Sequence, residues 1–388
     1  MKVAFYAPMK SPRHERPSGD RRVARAFLGA LEAAGCEVEL ASELRAWEGR
    51  GDAEEQARIE TRGNAEAARL VAAYRELPPA KQPDCWFTYH LYHKAPDWLG
   101  AAVSESLGIP YALAEASLAR KQRDGAWSRG YAQSLAAVRR ADCIFNINSA
   151  DLAGLRAVAR DGALVQLKPF LDMPPPRESK EEARARVAAH VPLEPNAEWL
   201  LCVAMMRHGD KLASYRVLAD ALAHLSRDAH LLVAGDGPAE AEVRELFARR
   251  APGRAHFLGR CARARVLELM RACDLLVWPA CNEALGMAAL EALGCGLPVV
   301  AGRSGGIGDI VAHGETGLLV APGDARALAD AAAQLLDAPA RREQMAATSL
   351  DAFRRYHHLD AAAEIIGATL AHAAKLRRDT IASPPQTE

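Results

Sequence analysis

The chain alternates short apolar runs with longer stretches in which apolar residues recur every three or four positions. Lys2-Val3-Ala4-Phe5-Tyr6 is nearly continuous apolar sequence, the pattern of a strand buried on both faces. Pro8 to Asp20 is rich in Pro, Ser, Arg and Gly and reads as a loop. From Arg21 to Ala34, Val23, Ala26, Phe27, Ala30, Leu31 and Ala34 make one apolar stripe, which predicts an amphipathic helix. Gly35 stops it, and Glu37 to Leu40 is a second strand. Residues 48–77 predict an excursion followed by a polar, alanine-rich helix. Asp84 to His90, Ile109 to Glu115 and Cys143 to Asn146 read as strands, with a helix from Ala126 to Arg140 before the last. Asn148 to Asp151 reads as a helix start with Ser149 as its cap, and Leu164 to Phe170 completes the first domain.

Asp172-Met173-Pro174-Pro175-Pro176 is a linker stiffened by three prolines. A short charged helix, Glu181 to His190, and Pro195 lead into a second alternation. Its predicted strands are Trp199–Ala204, His230–Ala234, His256–Leu258, Leu275–Pro279, Pro298–Ala301 and Thr316–Val320. Its helices are Leu212–Leu225, Ala239–Arg249, Arg263–Ala272 and Asp324–Leu336. The tail is helical from Ala340 to about Arg378, and Ser383 to Glu388 reads as disordered. Strand-helix alternation implies parallel sheets covered on both faces. The expected fold class is α/β with two Rossmann-like domains, residues 1–172 and 173–355, and residues 356–388 as a closing helix and tail.

Composition narrows the partners. The 388 residues have a formal net charge of zero, so no global field draws in nucleic acid, and an anionic substrate must be met by local basic groups. The first apolar run is broken at Pro8, too soon for a signal peptide, and no stretch of about 18 apolar residues exists to span a bilayer. The eight cysteines are scattered without a C-x-x-C pair, the pattern of reduced thiols in a cytosol rather than of a zinc site. No G-x-G-x-x-G follows the first strand, which argues against a dinucleotide-dependent oxidoreductase.

The stretch richest in chemistry is Asn282 to Pro298, between the Leu275 and Pro298 strand runs. Such a loop lies at the carboxyl end of a parallel strand, where open α/β sheets bind ligands. A helix beginning near Leu285 to Met287 points its free N–H groups into that crevice, and Gly286, without a Cβ, admits a close anionic group. Glu283 and Glu291 frame this helix, eight residues and roughly 12 Å apart. Each alone reads as a dipole complement or a solvated helix residue. Together they suit hydroxyls on either side of an anion, the layout of a nucleotide sugar.

Glu283 and Glu291 form an E-x7-E pair, and the chain from about Trp199 to Leu336 resembles the C-terminal domain of retaining GT-B glycosyltransferases of family 4 type. Where that family usually has E-G-F-G, this chain has Glu283-Ala284-Leu285-Gly286. The resemblance implies GT-B architecture, with the two sheets facing a central cleft. It also implies metal-independent chemistry, in line with the absence of the D-x-D spacing expected of GT-A enzymes. Met206 to Lys211 resembles the family's R-x(n)-K-G element, which makes Arg207 and Lys211 the diphosphate ligands, Arg as a planar fork and Lys as a point charge. Gly235-Asp236-Gly237-Pro238 resembles the G-x-G-P turn, Arg260 stands where the family holds the nucleobase, and Gly305 to Asp309 resembles the G-G-x-P-E loop. Gly19 matches the glycine facing the donor diphosphate from the first domain.

In the first domain His90 and His93, beside Tyr89, Tyr92 and Lys94, are the cleft candidates. Glu115 stands where relatives place a histidine. Arg21, Arg22 and Arg25 open a helix against its dipole, which hints at an anionic partner.

The expectation is a hexosyltransferase that moves sugar from a nucleotide diphosphate donor to a hydroxyl with retention of configuration. Catalysis would fall to Glu283, Arg207, Lys211, His90 and Glu115. The donor would be held by Gly19, Arg207, Lys211, Gly235, Arg260, Glu283, Leu285, Gly286, Met287 and Glu291, and the acceptor by His93, Arg21 and Arg22. No cofactor, metal or nucleic acid is called for. The acceptor (lipid, saccharide or small molecule) is left open. A cytoplasmic protein is expected, with weak contact to the inner face of a membrane through Lys10, Arg13, Arg16, Arg21, Arg22 and Arg25. The rivals are a nucleotide-sugar epimerase or hydrolase on the same architecture, acting without an acceptor, and a non-catalytic sugar binder.

Overall fold

A computed structural model describes residues 1–15, 18–176, 178–191, 193–194, 196–226 and 228–382. Arg16, Pro17, Pro195 and the 383–388 tail, each invoked above, lie outside the described residues. The chain divides into two compact units, one of Met1–Asp172 with Leu359–Glu388, the other of Met173–His358.

The first unit holds a six-stranded sheet of β1 (Lys2–Tyr6), β2 (Glu37–Ser42), β3 (Cys85–Leu91), β4 (Tyr111–Ala116), β5 (Cys143–Asn146) and β6 (Leu164–Gln166). All neighbours pair in parallel, in the order β2-β1-β3-β4-β5-β6. The inner strands β1, β3, β4 and β5 are buried almost throughout, which is why they read as largely apolar runs, while the edge strands β2 and β6 are partly exposed. Phe5, Phe27, Phe87, Phe145 and Phe170 link the sheet to the helix Gly19–Ala33 and to the strand β6 side of the core. That helix starts two residues earlier than expected, because the Ser18 side chain accepts from the Arg21 amide.

Two local readings are corrected. A helix at Gly100–Leu107 was not anticipated. Its eight residues are too few to show a period, and its start is set by a carboxylate three residues before it. Buried Asp97 accepts from the Leu99 and Gly100 amides at 2.8 and 2.9 Å, and from Thr88 and Tyr111 hydroxyls on its other oxygen. The cap of the turn at Ser149–Asp151 is Asn148, not Ser149. The Asn148 side chain accepts from the Ala150 amide, which Ser149 is one residue too late to do.

The second unit repeats the plan with β7 (Glu198–Val203), β8 (Ala229–Ala234), β9 (Ala255–Gly259), β10 (Leu275–Trp278), β11 (Val299–Gly302) and β12 (Gly317–Val320). Their parallel order is β12-β11-β10-β7-β8-β9. The direction of winding reverses between β7 and β10 here, and between β1 and β3 in the first unit. Loops leaving the carboxyl ends at a reversal diverge and open a crevice, so each sheet has one preferred ligand position. After the helix Pro339–Ala352, a wide turn at Phe353–His357 leads to the last helix, Leu359–Ala382. It packs on the first unit, with the Leu359 amide donating to the Leu171 carbonyl and Gly367 against Ala34.

Candidate active site

In the second unit the reversal brings together the loops after β7 and β10. The first is shaped by glycines across from it. A Cβ on Gly235 would lie 1.9 Å from the Ala204 carbonyl, and one on Gly237 2.3 Å from that of Met206. Gly235 therefore lets two backbones touch, and the Met206 amide closes the contact on the Asp236 carbonyl. The loop ends at Gly209 (φ 81°), which starts the helix Asp210–His224 and sets Lys211 in its first turn.

The loop after β10 is strained. Ala280 (φ 53°) and Asn282 (φ 55°) are non-glycine residues in the left-handed region, a conformation that persists only where the surroundings impose it. The Cys281 amide donates to Ser214 Oγ, Asn282 Nδ2 to Asp210 and the Glu283 amide to Ser304 Oγ. Gly286 (φ 78°) then caps the helix Met287–Gly294, where a side chain would meet Ile307 Cδ1 at 2.2 Å. The outcome is one arrangement of charge. Glu283 Oε2 takes Lys211 Nζ at 2.5 Å and Trp278 Nε1 at 2.9 Å, and Lys211 Nζ lies 5.1 Å from the Trp278 ring centroid. The Trp278 ring is braced edge-on by Tyr215.

The structure thus places Lys211, Glu283, Leu285, Gly286 and Met287 on one loop-and-helix start. Glu291 lies farther along the same helix and is buried, with Arg263 Nε 3.8 Å from its carboxylate, so it is not a solvated helix residue. Arg207 and Arg260 are exposed, Arg207 turning its guanidinium to Met205 Sδ. The direct contact between Lys211 and Glu283, and the role of Trp278 in it, were missed. Trp278 carried no signal beyond being an apolar strand residue.

The first unit builds a different cluster at its own reversal. His90 at the end of β3 and Glu115 at the end of β4 both have positive φ, 60° and 53°. His90 Nδ1 meets Asp20 Oδ1 at 2.5 Å, and the Tyr89 hydroxyl donates to the Asp20 carbonyl. Asp20 Oδ2 and Glu115 Oε2 are buried without a hydrogen-bond partner among the described residues. Burial pushes the His90 imidazole down, but Glu115, Asp20 and Asp151 together outweigh it and hold it above its ordinary value. Burial raises both Glu115 and Asp151, against the opposing pull of His90.

Asp20 and Asp151 were not among the sequence candidates. An Asp in the first turn of a helix looks like any dipole complement, and only the sheet order carries it to β3. Gly19, just before Asp20, opens the helix. His93 is held apart from this role. Its ring packs edge-on between Tyr92 and Trp127, and burial followed by Lys94 and Lys121 lowers its pKa. Arg21 donates to the carbonyls of His14 and Glu15, and Arg25 to that of Pro12, so these cations brace the loop after β1. Arg22 is half-buried beside them. Among the described residues no three His, Cys, Asp or Glu side chains are grouped to hold a metal ion, and no helix is long and apolar enough to cross a membrane.

Residues 197–338 match the family described as glycosyl transferases group 1. The N-acetyl-alpha-D-glucosaminyl L-malate synthase of Bacillus anthracis is 39% identical over 110 residues, 28% of this chain and 28% of that protein. The chain thus matches well under half the length of this curated relative. Two solved structures match nearly the whole chain. The sucrose-phosphate synthase of Thermosynechococcus elongatus has a TM-score of 0.70 at 21% identity, covering 98% of this chain and 100% of that one. The Anabaena protein HepE in complex with UDP has a TM-score of 0.72 at 18% identity, covering 96% and 100%. With its two parallel six-stranded sheets, the chain has the GT-B fold, and residues 197–338 of its second unit match the glycosyl transferases group 1 family.

Proposed function

We propose that the protein is a retaining, metal-independent glycosyltransferase that moves a hexose-type sugar from a nucleotide diphosphate donor to an acceptor hydroxyl. The observation that carries this is the Lys211–Glu283–Trp278 contact beside the Gly286 helix start, at the strand-order reversal of the second unit. An ammonium and a helix N-terminus suit a diphosphate, and the adjacent carboxylate suits sugar hydroxyls. The reading is supported by the group 1 match, by the UDP bound to HepE and by the glucosaminyl malate in the name of the Bacillus relative.

In this reading the donor diphosphate draws Lys211 off Glu283, and the freed carboxylate accepts from the sugar. Arg207 adds a second cation, Glu291 takes the ribose and Arg260 lies toward the base, on loops that Gly235 holds in close contact. As the anomeric C–O bond breaks, its electron pair goes to the diphosphate oxygen, which Lys211 and the helix N–H groups stabilise. The acceptor hydroxyl bonds to the same face of the anomeric carbon, and its proton passes to that phosphate oxygen. The first unit supplies the acceptor side. His90, held by Asp20 and facing Glu115, orients the hydroxyl, and His93, Arg21 and Arg22 lie along the approach. A cytoplasmic setting with weak contact to an anionic membrane face belongs to the same reading, resting on Lys10, Arg13, Arg21, Arg22 and Arg25.

The test is incubation with UDP-, GDP- and ADP-sugars, with and without a panel of hydroxyl acceptors, followed by determination of the anomeric configuration of any product. Acceptor-dependent release of nucleoside diphosphate with a retained anomer is expected. Conversion of a donor at equal rate without any acceptor would overturn the reading in favour of an epimerase or hydrolase. Flotation with anionic vesicles at low salt checks the membrane contact, and no binding there removes it.

A further inference from the structure

The segment after β2 is irregular, yet it is tied down at several points. The Ala46 amide donates to the Pro8 carbonyl and the Glu48 amide to that of Lys94, each at 2.8 Å. Glu48 is buried, 6% exposed, and its carboxylate takes the amides of Arg50 and Gly51 at 2.5 and 2.8 Å and the Trp127 indole N–H at 3.1 Å. A carboxylate taken out of water is costly unless saturated with donors, so this loop is built for one conformation. Beside Glu48, Trp47 is 39% exposed.

That indole is exposed but not loose. Its N–H donates to the Tyr92 hydroxyl at 3.2 Å, and the Arg45 guanidinium lies 4.7 Å from its ring centroid. Gly49 has no Cβ where one would stand 2.4 Å from the ring edge. The Tyr92 ring in turn lies 5.2 Å from that of His90. A line of rings therefore runs from the acid–imidazole cluster at the end of β3 out to a solvent-facing tryptophan. Its flank is cationic, because Arg45 covers Trp47, Lys94 Nζ lies 4.3 Å over the Trp127 ring, and Arg50 is exposed on the same loop. A rigid, exposed aromatic offers contact area at low entropy cost, and an apolar sugar-ring face is its natural complement.

We propose that Trp47, with Tyr92 and the cations Arg45, Arg50 and Lys94, forms a distal acceptor subsite that takes the second ring of a two-ring saccharide carrying phosphate or carboxylate. This rests on the transferase reading for the placement of the reacting ring at His90. The acceptor then spans the Tyr92 ring, with its hydroxyl at the imidazole and its anionic ring against Trp47. A one-ring acceptor reaches one end only.

The experiment titrates the full chain, without donor, with glucose, glucose 6-phosphate, trehalose, trehalose 6-phosphate and a uronate-containing hyaluronan disaccharide, following tryptophan fluorescence and calorimetric heat. The anionic disaccharides should bind tightest. Trp47→Ala should weaken them about tenfold. Arg45→Ala should weaken the charged disaccharides by roughly two- to fivefold and leave trehalose unchanged. Melting temperatures of both variants should stay near that of the parent, since neither side chain is in the core. The proposal is overturned if neither anionic disaccharide binds, if Trp47→Ala leaves their affinity intact, or if one-ring and two-ring probes bind alike. Trp47-dependent binding in a protein that transfers no sugar would keep the subsite and remove the transferase reading. Transfer without Trp47 dependence would do the reverse.

Discussion

The two units share a sheet plan and a strand-order reversal but put opposite chemistry there. At the β7/β10 reversal a carboxylate is matched by an ammonium and an indole N–H, so charge is balanced before any ligand arrives. At the β1/β3 reversal Asp20 contacts the His90 imidazole while Glu115 and Asp151 act on it electrostatically, and two carboxylate oxygens lack partners among the described residues. A balanced pair can be opened by a ligand that brings both an anion and hydroxyls. An excess of carboxylate instead holds a proton and a hydroxyl in place. Under the transferase reading proposed above, the balanced pair suits the leaving group and the carboxylate-rich cluster suits the acceptor.

The largest test breaks the balance in the second unit. Lys211→Ala should lower kcat by about 100- to 1,000-fold, the loss expected of a cation aimed at a leaving group, and weaken nucleoside diphosphate binding as well. Glu283→Gln should lower kcat/KM by roughly 10- to 150-fold and barely touch binding of the bare diphosphate. Because the two side chains touch, the double variant should lose less than the product of the single losses. Steady-state kinetics and calorimetry on the four proteins decide it, and strictly multiplicative losses would mean the pair is incidental.

Backbone strain offers a second break. Gly286→Ala should cost about 1–3 kcal/mol, since it places a side chain at φ 78° against Ile307. Gly308→Ala has open space and should change stability by less than about 0.5 kcal/mol. Chemical denaturation of both variants compares them, and equal stabilities would mean the Gly286 loop yields freely. Trp278→Phe keeps a ring under Lys211 but removes the N–H to Glu283. About a two- to tenfold fall in kcat/KM is expected, with nucleoside diphosphate affinity held.

The smallest effect sharpens the first unit. The folded His90 pKa is raised above 6.5, so its charged pair with Asp20 contributes fully below about 6.5 and is lost as pH rises through the higher folded value. Melting temperature should fall across that window in the parent, and Asp20→Asn should flatten the fall. A variant curve parallel to the parent's would show that His90 is neutral throughout.

Much of this was legible in order along the chain. Both domains' strands were readable because parallel strands covered on two faces must be apolar throughout, and Cys143–Asn146 and Arg263–Ala272 fall where their patterns put them. Glu283, Gly286 and Lys211 could be picked out by residue type and spacing, and the structure brings them onto one loop-and-helix start. The helix Gly100–Leu107 was passed over because eight residues show no clear period, although Asp97, three residues before it, is a residue type that starts helices.

Motif and periodicity by themselves determined the α/β class and the alternation of strands and helices in both halves, since those follow from local patterning. Tertiary structure alone decided that Lys211 pairs with Glu283 across 72 residues and that Asp20 meets His90 across 70. It also decided that Trp47 stays exposed while Glu48 is buried. Those contacts depend on the order in which the strands lie side by side. Strand order is set by packing of whole sheets, and no window of sequence contains it.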